Sequence, residues 1–252
     1  MESEFDNFMK SQGFQRCVND LCVYHKGSTI NDQVFFLLYV DNILIAAKGL
    51  KKVNILKKSL SEEFEMKDLG PANRILGMDI VRDKQKGTLK LSQNRYLRQV
   101  LRNFNMDECK PVVSPVNTQL KLRSLTHEEL TKEELHMSSI TYASAIGSIM
   151  YAMIGSRPDL AYAICLVSRF MAKPGREHWA AVKWILRYIK GATDISLTFT
   201  KSDHLDIEGF CDSDYATDLD RRRSVPGYVF KVGGNTVSWR ASLQHVVALS
   251  TT

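Results

Sequence analysis

Residues 34–47 read VFFLLYVDNILIAA, two apolar runs rich in aromatic and branched side chains on either side of Asp41-Asn42. Two such runs separated by two turn-forming residues predict a β-hairpin. We therefore expect a buried hairpin that carries Asp41 at its tip. A carboxylate held there would be rigid, open to solvent and able to bind a hard, oxygen-seeking cation such as Mg²⁺. The alternative is that Asp-Asn is simply favourable turn chemistry, and the spacing alone favours that interpretation.

Outside this hairpin, stretches of helical period and stretches of strand period come in separate runs along the chain, which predicts an α+β fold. The stretches with helical period are 3–12, 51–64, 93–105, 142–154, 159–172 and 176–190. The stretches with strand character are 21–24, 75–81, 89–91, 197–199, 207–210, 228–230, 236–239 and 246–250. Ser92 is the expected N-cap of the third helix, and 110–139 is the best candidate linker.

The composition excludes several classes of protein. The 252 residues are 44% hydrophobic with a net charge of +6, which is typical of a globular chain and gives a weak indication of an anionic partner. No apolar run is long enough for a membrane span, and no signal peptide is recognisable. The five cysteines are odd in number and widely spaced. We therefore expect no disulfide-linked partner and an intracellular location, cytoplasmic or nuclear.

A second group of carboxylates follows the apolar strand 207–210. It comprises Asp212, Asp214, Asp218 and Asp220. Several carboxylates at a strand end suit a divalent cation, with Asp212 emerging from the sheet. An EF-hand loop is excluded, because its sixth position would be Thr217 and its twelfth Arg223. The alternative interpretation is a solvated acidic turn balanced by the neighbouring arginines.

Two of the expected helices carry basic stripes. Arg95, Arg98 and Arg102 share one face of 93–105. On 176–190 the basic stripe consists of Arg176, Lys183, Arg187 and Lys190. Either stripe could follow a phosphate backbone, although a solvated face opposite a core stripe is the commoner outcome for one amphipathic helix.

Ordered blocks of sequence resemble the C-terminal part of a copia-type retrotransposon reverse transcriptase and the start of its RNase H domain. The blocks are YVDN (39–42), FEMKDLG (64–70), ILGMDI (75–80), LSQ-x-x-Y (91–96), AIGSIMY (145–151), SRPD (156–159), LRYIKG (186–191), CDSDYA (211–216), RRS-x-x-GY (222–228) and VALST (247–251). Together they run nearly from end to end of the chain, so chance similarity is excluded as an explanation.

The resemblance implies a fold and a division of the chain. Residues 1–92 would form a partial palm with a primer-grip-like hairpin, 93–140 the start of the thumb and a linker, 141–193 a helical connection, and 194–252 a truncated RNase H-like sheet. Asp41 and Asp212 would each be a catalytic metal ligand. Tyr39, Gly77, Met78 and the arginines Arg95, Arg98 and Arg102 would lie beside nucleic acid. From the charge pattern of the helix 176–190, we also expect nucleic-acid contacts at Lys183, Arg187 and Lys190.

The resemblance also implies a Mg²⁺ or Mn²⁺ cofactor and an RNA or DNA template-primer as partner, with no role for a membrane. Asn42 stands where the family has the second Asp of its turn, and the family's other ligands would precede Met1 or follow Thr252. We therefore expect a truncated copy that neither polymerises nor cleaves alone. Two alternatives remain open, an excerpt of a longer active polyprotein and a weak, non-catalytic nucleic-acid binder.

Overall fold

The structure is a computed structural model, and it describes residues 2–29 and 31–250. Thr251, the last residue of the VALST block, and Thr252 lie outside the described residues. The chain divides into two compact units, residues 1–75 and 76–252, and each is described by itself. Every described strand pairing in the three sheets is antiparallel. The architecture is therefore a mixture of helices and antiparallel strands.

The first unit contains a four-stranded antiparallel sheet with the order β1-β2-β3-β4. Its elements are α1 (Glu2–Ser11), β1 (Gln15–Arg16), β2 (Val23–Lys26), β3 (Val34–Tyr39), β4 (Asn42–Ala47), α2 (Leu50–Glu63) and β5 (Arg74–Ile75). Alternate residues of β3 point inward, so that Val34 and Phe36 are buried while Phe35 is exposed. They pack with Leu56 and Leu60 of α2 in one apolar cluster.

The hairpin expected from residues 34–47 is confirmed, with a shift of one residue at its tip. Tyr39 and Asn42 are paired across the two strands, so the connecting residues are Val40 and Asp41 rather than Asp41 and Asn42. The pairing of Tyr39 with Asn42 fixes the register of the two strands. The register in turn determines that Val40 and Asp41 form the two-residue turn. Asp41 stays at the tip in either case.

The second unit consists of a helical core and two sheets. Its elements are β6 (Met78–Asp83), β7 (Thr88–Ser92), α3 (Asn94–Asn103), α4 (His127–Met137), α5 (Tyr142–Gly155), α6 (Ala161–Ser168), α7 (Arg176–Gly191), β8 (Leu197–Thr200), β9 (Ile207–Ser213), β10 (Pro226–Val232) and β11 (Asn235–Ala241). Strand β7 lies between β6 and β8, and β10 lies between β9 and β11.

The helical core follows from apolar stripes at helical spacing. Leu97 and Leu101 of α3 pack with Ile146 of α5 and with Val182 and Leu186 of α7, and all five side chains are buried. These contacts leave the opposite faces of α3 and α7 for polar residues. The core therefore decides which faces of the two helices are available to a partner.

Several predicted boundaries differ from the structure, and three of the differences concern how an element begins or is interrupted. Ser92 ends β7, and the N-cap of α3 is Gln93, because the strand ladder continues as far as the Asp79–Ser92 pair. The strand expected over 75–81 is interrupted at Leu76 and Gly77, whose φ angles of 48° and 69° are incompatible with extended backbone. The helix expected over 159–172 begins as a 3-10 turn at Pro158 and ends at Ser168.

The strand expected over 246–250 is not formed, although its residues have high β-propensity. Propensity becomes structure only where a neighbouring strand supplies hydrogen bonds and packing, and this segment pairs with no strand among the described residues. Val246 and Leu249 remain exposed.

The stretch with linker-like composition, 110–139, contains the helix α4. Thr126 and Glu129 form a capping box: Glu129 N donates to Thr126 Oγ1 at 3.4 Å, and Thr126 N donates to Glu129 Oε2 at 2.8 Å. A Thr-x-x-Glu pattern indicates the start of a helix, even where the following residues are too polar to form an apolar stripe.

Within residues 2–29 and 31–250, no single helix is both long enough and apolar enough to span a bilayer. Only the helix pair α4–α5, taken together and bent by 82°, meets the length and composition of a span.

Candidate functional site

The tip of the β3–β4 hairpin presents Asp41 to solvent. Val40 beside it has φ 52° and is 77% exposed, and Tyr39 is 48% exposed. A left-handed conformation costs a non-glycine residue on the order of 1–2 kcal/mol, and a β-branched residue such as valine is an outlier there. The hairpin therefore holds its carboxylate at a strained, exposed turn. Residues with strained backbone conformations are common at functional sites.

A metal ion at this tip needs more ligands than the tip supplies. Among residues 2–29 and 31–250, no group of three or more His, Cys, Asp or Glu side chains is placed to hold a metal ion. Hard divalent cations take six or more oxygen ligands, of which one or two are commonly carboxylates in the case of Mg²⁺. The described residues do not by themselves fit a complete two-metal centre.

The loop between β9 and β10 holds the second group of carboxylates. Asp212 is exposed at the end of β9, and its Oδ1 accepts a hydrogen bond from Ser213 N at 2.8 Å. Asp214 is occupied differently: its Oδ1 accepts from Val225 N at 2.7 Å and its Oδ2 from the Tyr162 hydroxyl at 2.9 Å. Burial, and then the contact with Asp214, raise the pKa of Tyr162 to about 12.

The other two carboxylates of this loop also have structural partners. Asp218 is 3% exposed and lies 2.8 Å from Arg169 Nη1, so the arginine that balances it comes from the end of α6 and not from 221–223. Asp220 accepts from both the backbone N and the hydroxyl of Ser124, at 2.9 and 2.7 Å. Of the four carboxylates Asp212, Asp214, Asp218 and Asp220, Asp212 therefore makes the fewest contacts that hold the fold together.

The basic stripe of α3 faces solvent. Arg95, Arg98 and Arg102 are all exposed. Arg98 donates to Asn94 and Arg102 donates to Gln99, both within the helix, whereas Arg95 pairs with Asp79 of β6. Exposed ion pairs and intrahelical hydrogen bonds are weak, so these guanidinium groups remain available to a phosphate backbone.

Gly77 and Met78 lie at the start of β6, close to one end of that stripe. Arg95 Nε is 3.3 Å from Oδ2 of Asp79, the residue after Met78. On the other side of the turn, the Tyr151 hydroxyl donates to the Leu76 carbonyl oxygen at 2.6 Å. The fold therefore brings the hairpin residues and the first arginine of α3 together, which the sequence could not show.

The stripe of α7 is less open than that of α3. Arg176 and Lys183 are exposed, whereas Arg187 and Lys190 are half-buried. Arg187 Nε donates to the Lys110 carbonyl at 2.8 Å, and its guanidinium carbon lies 4.9 Å from the centroid of the Trp184 ring. A partner at this face would compete with those contacts.

Two of the sequence blocks meet inside the second unit. Ser156 Oγ donates to Gln93 Oε1 at 2.7 Å, and both residues are 1% exposed. Arg157, which is fully buried, donates to Asp159 through Nε and Nη2 and to the Ala192 carbonyl through Nη1. These polar residues bind one another or the backbone inside the unit. In this structure the blocks LSQ-x-x-Y and SRPD therefore contribute to the packing of the fold.

Comparisons with known proteins find relatives among retrotransposon Pol polyproteins. The family model described as reverse transcriptase (RNA-dependent DNA polymerase) matches residues 2–118. The retrovirus-related Pol polyprotein from transposon TNT 1-94 of Nicotiana tabacum is 47% identical over 249 residues, which are 99% of this chain and 19% of the relative. The Pol polyprotein from transposon RE1 of Arabidopsis thaliana is 33% identical, over 99% of this chain and 16% of its own length.

A shorter relative is matched along most of its length. An uncharacterised mitochondrial protein of Arabidopsis thaliana is 36% identical over 219 residues, 87% of either chain. Of the Pol polyproteins, by contrast, this chain spans less than a fifth of the length. No solved structure is significantly similar to the chain.

Proposed function

Because the chain belongs to the family of copia-type retrotransposon Pol polyproteins, as a fragment of their reverse transcriptase domain, we propose that it is a duplex-contacting part of an RNA-directed DNA polymerase. In this proposal residues 1–92 are part of the palm, 93–140 the start of the thumb and a linker, 141–193 a helical connection, and 194–252 the beginning of an RNase H module. The substrate is a template-primer of RNA and DNA. The observation that carries the proposal is the exposed Asp41 at the strained tip of the YVDN hairpin.

Asp41 contributes one carboxylate to the polymerase centre in this proposal, and Asp212 contributes one to the RNase H centre. Both side chains are exposed, and both lie at the end of a strand. A rigid strand end is the kind of support that holds a ligand in place. In this proposal the remaining ligands for Mg²⁺ or Mn²⁺ come from the rest of a Pol protein, because residues 2–29 and 31–250 group no three His, Cys, Asp or Glu side chains that could hold a metal ion.

The nucleic-acid surface of the second unit consists of the α3 stripe and the adjoining hairpin. Arg95, Arg98 and Arg102 follow one face of α3, and Gly77 and Met78 lie next to its first turn. Arginine side chains recognise phosphates through charge and paired N–H groups, and a glycine lets a backbone approach closely. This surface therefore suits a duplex backbone and carries no base-specific readout.

Binding of a fluorescein-labelled RNA–DNA primer–template to the full chain, followed by anisotropy at several salt concentrations, tests this surface. We expect the double variant Arg98→Ala/Arg102→Ala to weaken binding on the order of tenfold and to lower the salt slope by about two, because each lost phosphate contact removes roughly one released counterion. Arg240→Ala, which removes an exposed arginine from β11, is the matched control and should leave both quantities unchanged. Equal effects of the two changes would contradict the proposed surface.

Primer extension with the purified chain and Mg²⁺ or Mn²⁺ tests the assignment of the metal ligands. We expect no metal-dependent DNA synthesis and no RNA cleavage by this chain alone, because the described residues group no three His, Cys, Asp or Glu side chains that could hold a metal ion. Robust synthesis abolished by Asp41→Asn would show that the ligand set is complete within the chain. It would then favour an active polymerase over a fragment that needs the rest of Pol.

A second candidate function is non-catalytic binding of nucleic acid. The solvent-facing arginine stripe of α3 favours it, since the stripe needs no metal to attract phosphates. Both functions predict salt-dependent binding, so preference for the primer end separates them. A fragment of a polymerase should bind a primer–template junction more tightly than a blunt duplex of the same length, whereas a general binder should not distinguish them.

A further inference from the structure

Tyr151 of α5 contacts the turn that leads into β6. Its hydroxyl donates to the Leu76 carbonyl oxygen at 2.6 Å, across 75 positions of sequence. Its ring lies beside Gly77, because a methyl group added at Gly77 would be 3.7 Å from the hydroxyl oxygen and 3.9 Å from Cε1. The same side chain thus contacts two consecutive residues of the turn.

This turn has a backbone that needs external support. Leu76 and Gly77 both lie in the left-handed region, with φ angles of 48° and 69°. Gly77 adopts that conformation readily, but Leu76 does not, since its Cβ crowds the following carbonyl. A leucine persists there only where its surroundings fix the peptide, and the hydrogen bond from Tyr151 restrains that same peptide unit.

Tyr151 is itself held by α3, the helix that carries the arginine stripe. The rings of Tyr96 and Tyr151 pack edge to face with centroids 5.1 Å apart, and the Tyr96 hydroxyl donates to the Ser148 carbonyl at 3.0 Å. Arg95, next to Tyr96, pairs with Asp79 of β6. The turn, the hairpin and the stripe are therefore connected through two tyrosines.

We propose that Tyr151 is a positioning residue, whose hydrogen bond to Leu76 holds the Leu76-Gly77 turn, and with it Met78, in the conformation that meets the nucleic-acid duplex. The proposal rests on the proposed function, because it assigns a role within that duplex surface. Tyr151 acts through the turn and makes no contact with phosphate. Its loss should change how well the hairpin fits the duplex without changing the number of charges that bind it.

The test compares Tyr151→Phe with Tyr142→Phe in the full chain, using the labelled RNA–DNA primer–template. Tyr142 also belongs to α5, and its hydroxyl donates to the Val167 carbonyl within the helical core. Each change removes one tyrosine hydroxyl that donates to a backbone carbonyl and keeps the ring, so a general loss of stability affects both alike. We expect Tyr151→Phe to weaken binding about fivefold with an unchanged salt slope, because the turn loses the hydrogen bond that restrains it. Tyr142→Phe should stay within about twofold of the original chain.

A third variant separates positioning from simple destabilisation. Asparagine tolerates the left-handed region better than leucine, so Leu76→Asn should reduce the need for the Tyr151 hydrogen bond and restore part of the lost affinity in the Tyr151→Phe background. Equal affinities of the two Tyr→Phe variants, or no recovery with Leu76→Asn, would overturn the positioning role while the original chain still binds duplex. An original chain that does not bind duplex would overturn the proposed function, and this proposal with it.

Discussion

The hairpin tip at Asp41 and the loop between β9 and β10 both present carboxylates, but the two regions use them differently. At the tip the carboxylate is exposed and the neighbouring backbone is strained. In the loop Asp214 and Asp218 hold a backbone N–H, a tyrosine and an arginine. Carboxylates that cluster in the sequence can therefore be occupied by contacts within the protein. The carboxylate without structural partners is the better candidate.

The largest effect should come from removing the buried carboxylate of the loop. Asp218→Ala leaves Arg169, whose side chain is 15% exposed, without the partner that lies 2.8 Å from it. Breaking one side of a buried ion pair costs about 3 kcal/mol of unfolding free energy. Urea denaturation measures this loss, and Asp41→Ala is the matched control, with an expected change within about 0.5 kcal/mol. Similar losses for the two variants would remove the distinction between the regions.

A smaller effect is expected at Asp214, together with a spectroscopic change at Tyr162. Asp214→Asn weakens the hydrogen bonds to the Tyr162 hydroxyl and to Val225 N, and should lower the unfolding free energy by roughly 1–2 kcal/mol. It should also lower the pKa of Tyr162 from about 12, since the neighbouring negative charge is lost, while burial, the larger cause, still keeps that pKa above 10. Tyrosine absorbance across an alkaline titration follows it, with Tyr162→Phe identifying the signal. An unchanged pKa would mean that Asp214 does not act on Tyr162.

Near this loop, His178 should make the second unit sensitive to acid. Its Nδ1 accepts from Gly175 N at 2.8 Å and its Nε2 faces the Arg123 carbonyl at 2.9 Å, so the fold holds the neutral ring, and burial lowers its pKa from 6.5. The unfolded chain then takes up a proton first as the pH falls. The unfolding free energy should therefore be highest above pH 6.5 and fall as the pH drops through that value.

The pH dependence of urea denaturation measures this acid sensitivity. His178→Asn should remove it, whereas His136→Asn, at an exposed histidine of α4, should leave it in place. A dependence that persists in His178→Asn would assign it to other groups.

The smallest effect should appear at the tip, and with the opposite sign. Val40→Asn replaces a β-branched residue at φ 52° by one that tolerates the left-handed region. Because Val40 is 77% exposed, little apolar burial is lost, and the unfolding free energy should rise by about 0.5 kcal/mol. Thermal or urea denaturation detects it. A destabilised variant would show that the valine side chain supports the turn.

Much of the fold was predictable from local pattern. The β3–β4 hairpin and the helices α5 and α7 follow from periods of two and 3.6 residues, which are properties of neighbouring positions. The helix α4 was missed because its signal is a capping box rather than an apolar stripe. The strand over 246–250 was wrongly predicted because β-propensity needs a partner strand.

The candidate site divides in the same way. Sequence alone placed Asp41 at a hairpin tip and three arginines on one face of α3, because a short turn and a helical stripe are local. It could not tell that Asp220 is held by Ser124, 96 positions away, or that Tyr151 reaches Leu76 across 75. Family membership, too, was determined by the ordered sequence blocks and is confirmed by the relatives.

Only the tertiary structure decided which charged residues bind within the protein and which remain open to a ligand. Hydrogen bonds are satisfied by whatever the packed chain brings within about 3 Å, regardless of separation in sequence.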